Sequence, residues 1–244
     1  MITRVLSVSL LAGLLAGLLV AALQHVTTTP LILQAEIYEA ASASQPAPAS
    51  VLFADGARIF LADGGTPHSE MPEWKPNDGF QRTALTGLVT IGASIGFAAL
   101  LLAGMLASGE TITERRVLIW AACGFIAFGL APAMGLAPGM PGSAAAEIRS
   151  RQLWWIMTAV VTAGSLFVFL RMDAPWVRAL AALAMLLPHL IGAPQPVAPE
   201  SKVPAEIAGQ FAALSLGVQA ALWMITGFAV GVLWPRFSGR SAKR

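Results

Sequence analysis

Residues 84–107 read ALTGLVTIGASIGFAALLLAGMLA, 24 residues without a charge, bounded by Arg82 on one side and Glu110 on the other. A helix needs about 20 mostly apolar residues to cross the roughly 30 Å of bilayer hydrocarbon. Lipid supplies no partner for backbone N–H and C=O groups, so such a stretch satisfies its own as a helix. Charge-free runs of the same kind occupy 5–23, 117–135, 153–170 and 207–233, and a weaker one lies at 177–193. Alternating ten-residue segments of the barrel type are absent, as are periodic repeats. The expected fold is all-α, a polytopic transmembrane helical bundle forming one integral membrane domain over 1–244. A polar exterior loop, 24–83, separates the first two spans.

Composition supports this reading. Of 244 residues 56% are hydrophobic and 11% charged, against roughly 25% charged in ordinary soluble domains. One cysteine excludes a disulfide framework within the chain and any multi-cysteine metal knuckle. The 15 basic residues are scattered and make no stripe that a phosphate backbone requires, which excludes nucleic acid as a partner. Membrane lipid is the expected surrounding.

The run at 177–193 decides where the chain ends. Only nine residues, 179–187, separate Arg178 from Pro188, and Pro188 and Pro194 both oppose a continuing helix. Charge bias arbitrates. With six spans and Arg4 inside, the inner segments hold Arg4, Arg115, Arg116, Arg171, Arg178, Arg236, Arg240, Lys243 and Arg244 against Glu110, Glu114 and Asp173. Five spans, the alternative, would place the basic tail outside, against the positive-inside rule. Six spans with both termini cytoplasmic is the expectation. The first run, at 19 residues, exceeds the 7–15 of a signal-peptide core, so it is read as a retained span.

Small-residue pairs four apart recur in three spans, Gly13/Gly17, Gly92/Gly96 and Gly227/Gly231. Such pairs let helix backbones approach closely, and packing within the bundle is the expected use.

The loop 24–83 carries Glu36, Glu39, Asp55, Asp63, Glu70, Glu73 and Asp78 against Arg58, Lys75 and Arg82. An acidic exterior raises the local concentration of cations. All three histidines fall on this face: His25 at the end of the first span, His68 in the loop, and His189 at the end of the fifth. Neutral imidazole is the commonest side-chain ligand for cobalt, nickel and zinc. Pro30 suits the start of a further helix, on which Glu36 and Glu39 share a face. A borderline N/O metal site of His25, His189, Glu36 and Glu39, with His68 the least favoured contributor, is therefore expected at the outer end. Each of these residues has a plainer reading as an interfacial or solvated side chain. No span carries an ionisable residue at its centre, which argues against a self-sufficient proton-driven carrier. Gln219, at mid-span, most needs a partner. Catalytic signatures and cofactor fingerprints are absent, so neither an enzyme nor a bound cofactor is expected.

Four blocks then carry a resemblance: PLILQAEIYE at 30–39, PGMPGSAAAEIRSRQLWW at 138–155, PHLIGAP at 188–194 and VPAEIAGQFAALS at 203–215. In this order and spacing the chain resembles the CbtA-type predicted cobalt transporter subunits. The resemblance implies a bacterial cytoplasmic-membrane protein serving cobalt uptake, with nickel the next candidate. It also implies a small one-span partner subunit bearing a histidine tail, and it favours about five spans. Two other functions stay open: a non-transporting membrane scaffold or assembly factor, and a permease for a neutral solute. Arg149 and Arg151, ahead of the Trp154–Trp155 pair, read as interface anchors or as partners for Glu36 or Glu39.

Overall fold

The computed structural model describes residues 1–43, 76–77, 79–197 and 201–237. Its helices are α1 (Ile2–Val26), α2 (Thr28–Ala43), α3 (Phe80–Ala107), α4 (Glu114–Phe125), a π-helical segment (Ile126–Leu130), α5 (Ala131–Ala133), α6 (Ile148–Arg171), α7 (Pro175–Ala184), α8 (Leu187–Ile191) and α9 (Ala205–Arg236). Five helices are long and apolar enough to cross a membrane: Ile2–Val26, Phe80–Ala107, Glu114–Ala133, Ile148–Arg171 and Ala205–Arg236. Each covers all or nearly all of one of the strong charge-free runs. Among the described residues there is no strand.

Close approach of small residues sets the two tightest pairings. On α1 the face Ser9, Ala12, Gly13, Ala16, Gly17 and Val20 is buried. A Cβ on Gly17 would lie 2.5 Å from Ile91 Cα, and one on Gly13 would strike Ile95 Cα. Nothing larger than glycine fits, and dispersion at this separation replaces the hydrophobic drive that lipid does not supply. The α4/α9 pair is built alike. A Cβ on Gly227 would sit 2.6 Å from Ala121 Cβ, and one on Gly231 would sit 3.0 Å from Glu114 Cα. Gly92 and Gly96 differ from the other two pairs, because no atom lies within 4 Å of a Cβ at either. Their face of α3 is open.

Trp223 of α9 fills the middle of the bundle. It is 2% exposed, stacks on Phe128 at 5.9 Å between ring centroids and meets the edge of Phe97 at 5.0 Å. Gly124 of α4 makes room for its ring.

The sixth, weaker run forms no single long helix. Residues Pro175–Ile191 form a shorter apolar stretch, broken between Ala184 and Leu187 into α7 and α8. Pro188 sits at the start of α8, and Gly192, at φ 87°, ends it. The pair nevertheless returns along α6. Trp154 Nε1 donates to Pro188 O at 3.2 Å, close to where α6 began. From Arg171 back to Trp154 α6 rises about 25 Å at 1.5 Å per residue. The broken pair thus brings the chain back to the end of the bundle from which α6 set out.

At the opposite end Arg4 Nη2 donates to Trp234 O at 2.6 Å, capping the last turn of α9. Its guanidinium lies 3.7 Å from the centre of the Trp234 ring. The first turn of α1 and the last turn of α9 therefore share one end of the bundle. The α3–α4 connection lies there too, with Glu110 joined to Arg116 and Arg171.

Candidate functional site

At the other end α1 passes into α2 through the single residue Thr27. Thr27 Oγ1 donates to Leu23 O at 2.6 Å, and Thr28 Oγ1 to Gln24 O at 3.4 Å. Gln24 Oε1 accepts from Thr90 Oγ1 of α3 at 2.9 Å, which fixes the end of α1 against α3. Pro30 stands in the first turn of α2, where its missing N–H costs no intrahelical bond. Leu31 and Ala35 are buried with Met140, Val203 and Phe211, so α2 lies against the start of α9 and the 140–142 turn.

The predicted site residues are distributed over this end. His25 is exposed on the last turn of α1. Glu36, half-buried on α2, is held by Arg82 of α3 in a two-pronged ion pair, Nη1 to Oε2 at 2.9 Å and Nη2 to Oε1. This is the fork geometry that a guanidinium and a carboxylate favour. The partner of Glu36 is thus Arg82 rather than Arg149 or Arg151. Glu39 is exposed, and its Cβ flanks Gly142 together with Lys202. His189, half-buried on α8, meets the edge of the Trp154 ring, 5.9 Å between centroids and 71° between planes. His68 lies outside the described residues. Among the described residues no three His, Cys, Asp or Glu side chains gather closely enough to hold a metal ion. The structure brings Glu36 to Arg82 and His189 to Trp154.

Two features escaped the sequence reading. Glu147 caps α6: its carboxylate accepts from Arg149 N at 2.9 Å and Ser150 N at 2.8 Å. Hydrogen bonds from the Ser150 and Arg149 backbones hold this exposed carboxyl below its ordinary range. The spacing from Glu147 to the first turn of α6 was the available signal. The second feature is the π-helical segment, where Ala131 N–H reaches back five residues to Ile126 O. Pro132, inside the third apolar run, has no N–H to give to Phe128 O, four residues earlier. Gln219 of α9 satisfies that carbonyl through Nε2 at 3.4 Å, so the mid-span glutamine has the partner it needed. Elsewhere in the interior Ser94 Oγ bonds back to Thr90 O. Among the described residues Ser9, Thr158, Thr162 and Thr226 hydroxyls and Trp223 Nε1 are buried without a hydrogen-bond partner.

The geometry is that of a lipid-embedded bundle with a carboxylate- and imidazole-bearing end, an uncharged interior and an arginine-rich opposite end. No curated protein and no solved structure matches the chain. One family does, described as Probable cobalt transporter subunit (CbtA), over residues 2–235. With nearly its whole length matched, this membrane chain belongs to the CbtA family of probable cobalt transporter subunits.

Proposed function

We propose that this chain is the multi-pass subunit of a cobalt uptake system in a bacterial cytoplasmic membrane, with nickel as the nearest competing cargo. The match to a cobalt transporter subunit family over residues 2–235 is the observation that carries this reading. In it, the Arg4–Trp234 end of the bundle faces the cytoplasm, in keeping with the positive-inside rule, and the end bearing His25 and Glu39 faces outward. The acidic loop 24–83 concentrates dications there. His25, Glu39, His189 and His68 serve as successive, exchangeable contacts for the incoming ion instead of one closed shell. Glu36, paired with Arg82, tunes the potential they sit in. Weak contacts suit transport, since an ion bound too tightly does not leave. A transporter subunit has partners, and a small one-span subunit is the one proposed. No catalytic role is assigned.

Labelled-cobalt uptake by cells expressing the chain, with and without the one-span subunit, tests the proposal. Uptake that exceeds the empty-vector control and is competed by nickel is expected. No difference in either case ends the transporter reading. A scaffold role is the second reading, favoured by the lack of a three-ligand metal group among the described residues. Liposomes holding purified protein separate the two, because a scaffold passes no metal.

A further inference from the structure

A groove of about 670 Å³ opens between α3 and α6, floored by α4 and Trp223, at the arginine-rich end of the bundle. We propose that it holds one anionic phospholipid, with the acyl chain along the groove and the phosphate at Arg116 and Arg171. The volume lies in the range of sites that bury most of a drug-sized ligand, roughly 300–1,000 Å³, room for an acyl chain with the rest of the lipid outside. The walls are apolar and include Leu100, Trp120, Ala163 and Phe167. Leu100 and Phe167 are 47% and 42% exposed, so the groove opens sideways to lipid. Gly104 keeps it deep, since a Cβ there would crowd Trp120 at 3.3 Å.

The charges sit only at the mouth, and their depth order matters more than their sum. Glu110, with a side chain 14% exposed, lies behind Arg116 and Arg171, whose side chains are 52% and 43% exposed. The carboxylate holds both guanidiniums in place, Arg116 Nη1 at 2.8 Å and Arg171 Nη1 at 3.5 Å. The two guanidiniums therefore lie outside the carboxylate that pairs them. The remaining acid at the mouth, Asp173, is fully exposed, and its charge is offset by Arg178 at 3.1 Å. Arg171 is further oriented by donating to Ser108 O and by lying over the Phe167 ring, 5.4 Å from its centre. A guanidinium has five donors in a fixed fork, more than these contacts use. Arginines beside an apolar cleft between transmembrane helices are the recognised chemistry for an anionic headgroup. Neither a neutral lipid nor a free cation uses both halves of this arrangement.

The test is native mass spectrometry of the purified, delipidated full chain. It is titrated with phosphatidylglycerol, with phosphatidylcholine of the same acyl chains, and with inorganic phosphate alone. At least tenfold tighter binding of one phosphatidylglycerol is expected, falling to parity with phosphatidylcholine in Arg116→Gln/Arg171→Gln. Arg115→Gln, beside the mouth but not lining it, keeps the preference. Ala163→Phe, which fills the groove, weakens the one-lipid adduct. A second readout needs no arginine variant. Trace phosphatidylglycerol brominated in its chains quenches tryptophan fluorescence more than brominated phosphatidylcholine, and Trp120→Phe reduces that excess, Trp223 carrying the rest. Equal affinity for the two lipids, or a preference indifferent to the double variant, overturns the proposal. So does phosphate binding as tightly as the lipid, which would assign the arginines to a free anion. A protein dimer that forms in place of the lipid adduct would assign the groove to a second copy and also overturn it.

Discussion

Gln219 donates to the carbonyl of Phe128 that Pro132 leaves without its helical partner. The two helices are locked by a defect in one and a polar side chain in the other. Leaving a buried carbonyl unpaired costs about 1–3 kcal/mol. Gln219→Leu is therefore expected to destabilise the chain by about that amount in detergent. Pro132→Ala restores an N–H at the right position, so the same Gln219→Leu change costs less in that background. Thermal unfolding of the four proteins in the cycle measures the coupling, and additive losses would sink this account.

The glycine pairs separate by what faces them. Gly17→Val drives a side chain into Ile91 Cα and is expected to cost several kcal/mol or block folding, as overpacking of a tight contact does. Gly96→Ala meets open space and gains helix propensity, about 0.5–1 kcal/mol in aqueous helices. Melting temperatures of the two variants should move in opposite directions.

That contrast shows how far the sequence was legible. The charge-free runs specify the five long helices because bilayer thickness and backbone satisfaction leave helix as the one solution. Spacing alone said that Gly13/Gly17 and Gly92/Gly96 were equivalent, yet only the first faces a helix. The difference lies in the rotation of α3, which is set by non-local packing. The break after Ala184 was legible from Pro188, and the return of the chain to Trp154 was not. At the α1–α2 end the histidines and glutamates were read from residue type. Which of them meet depends on Arg82 and Trp154, far away in sequence.

Glu147 supplies a pH-dependent contribution. Its folded carboxyl titrates below the ordinary glutamate range because the Ser150 and Arg149 backbones donate to it. The stabilisation is therefore fully present above the unfolded value and is lost as pH falls through the folded one. Unfolding of the wild type is expected to lose stability across that acid window by more than Glu147→Gln does. Parallel pH profiles for the two proteins would remove the cap from the account.

The Arg4–Trp234 contact fixes the ends of α1 and α9 on one side, and the proposed orientation, based on the positive-inside rule, puts that side in the cytoplasm. A cytoplasm-active reporter fused after Arg244 should work, while the same reporter inserted near Gln45 should be silent. Matching activity at both positions would refute the orientation.

Glu36 and Arg82 give the sharpest test of the proposal that their end of the bundle receives a dication. In the proposed reading each contributes one charge where the incoming ion passes, and the two oppose one another. Removing the carboxylate makes the site more positive by one unit, and removing the guanidinium makes it more negative by one. At about 8 Å in water a unit charge and a dication interact by about 1 kcal/mol, which physiological salt reduces to a two- to threefold change in encounter. Glu36→Gln should therefore slow the initial rate of cobalt uptake at subsaturating metal, and Arg82→Gln should raise it by a similar factor. The double variant should return close to the wild type, and all differences should shrink at high ionic strength. If the pair only holds α2 against α3, both single variants lose uptake together, salt does not restore it, and the electrostatic role is excluded.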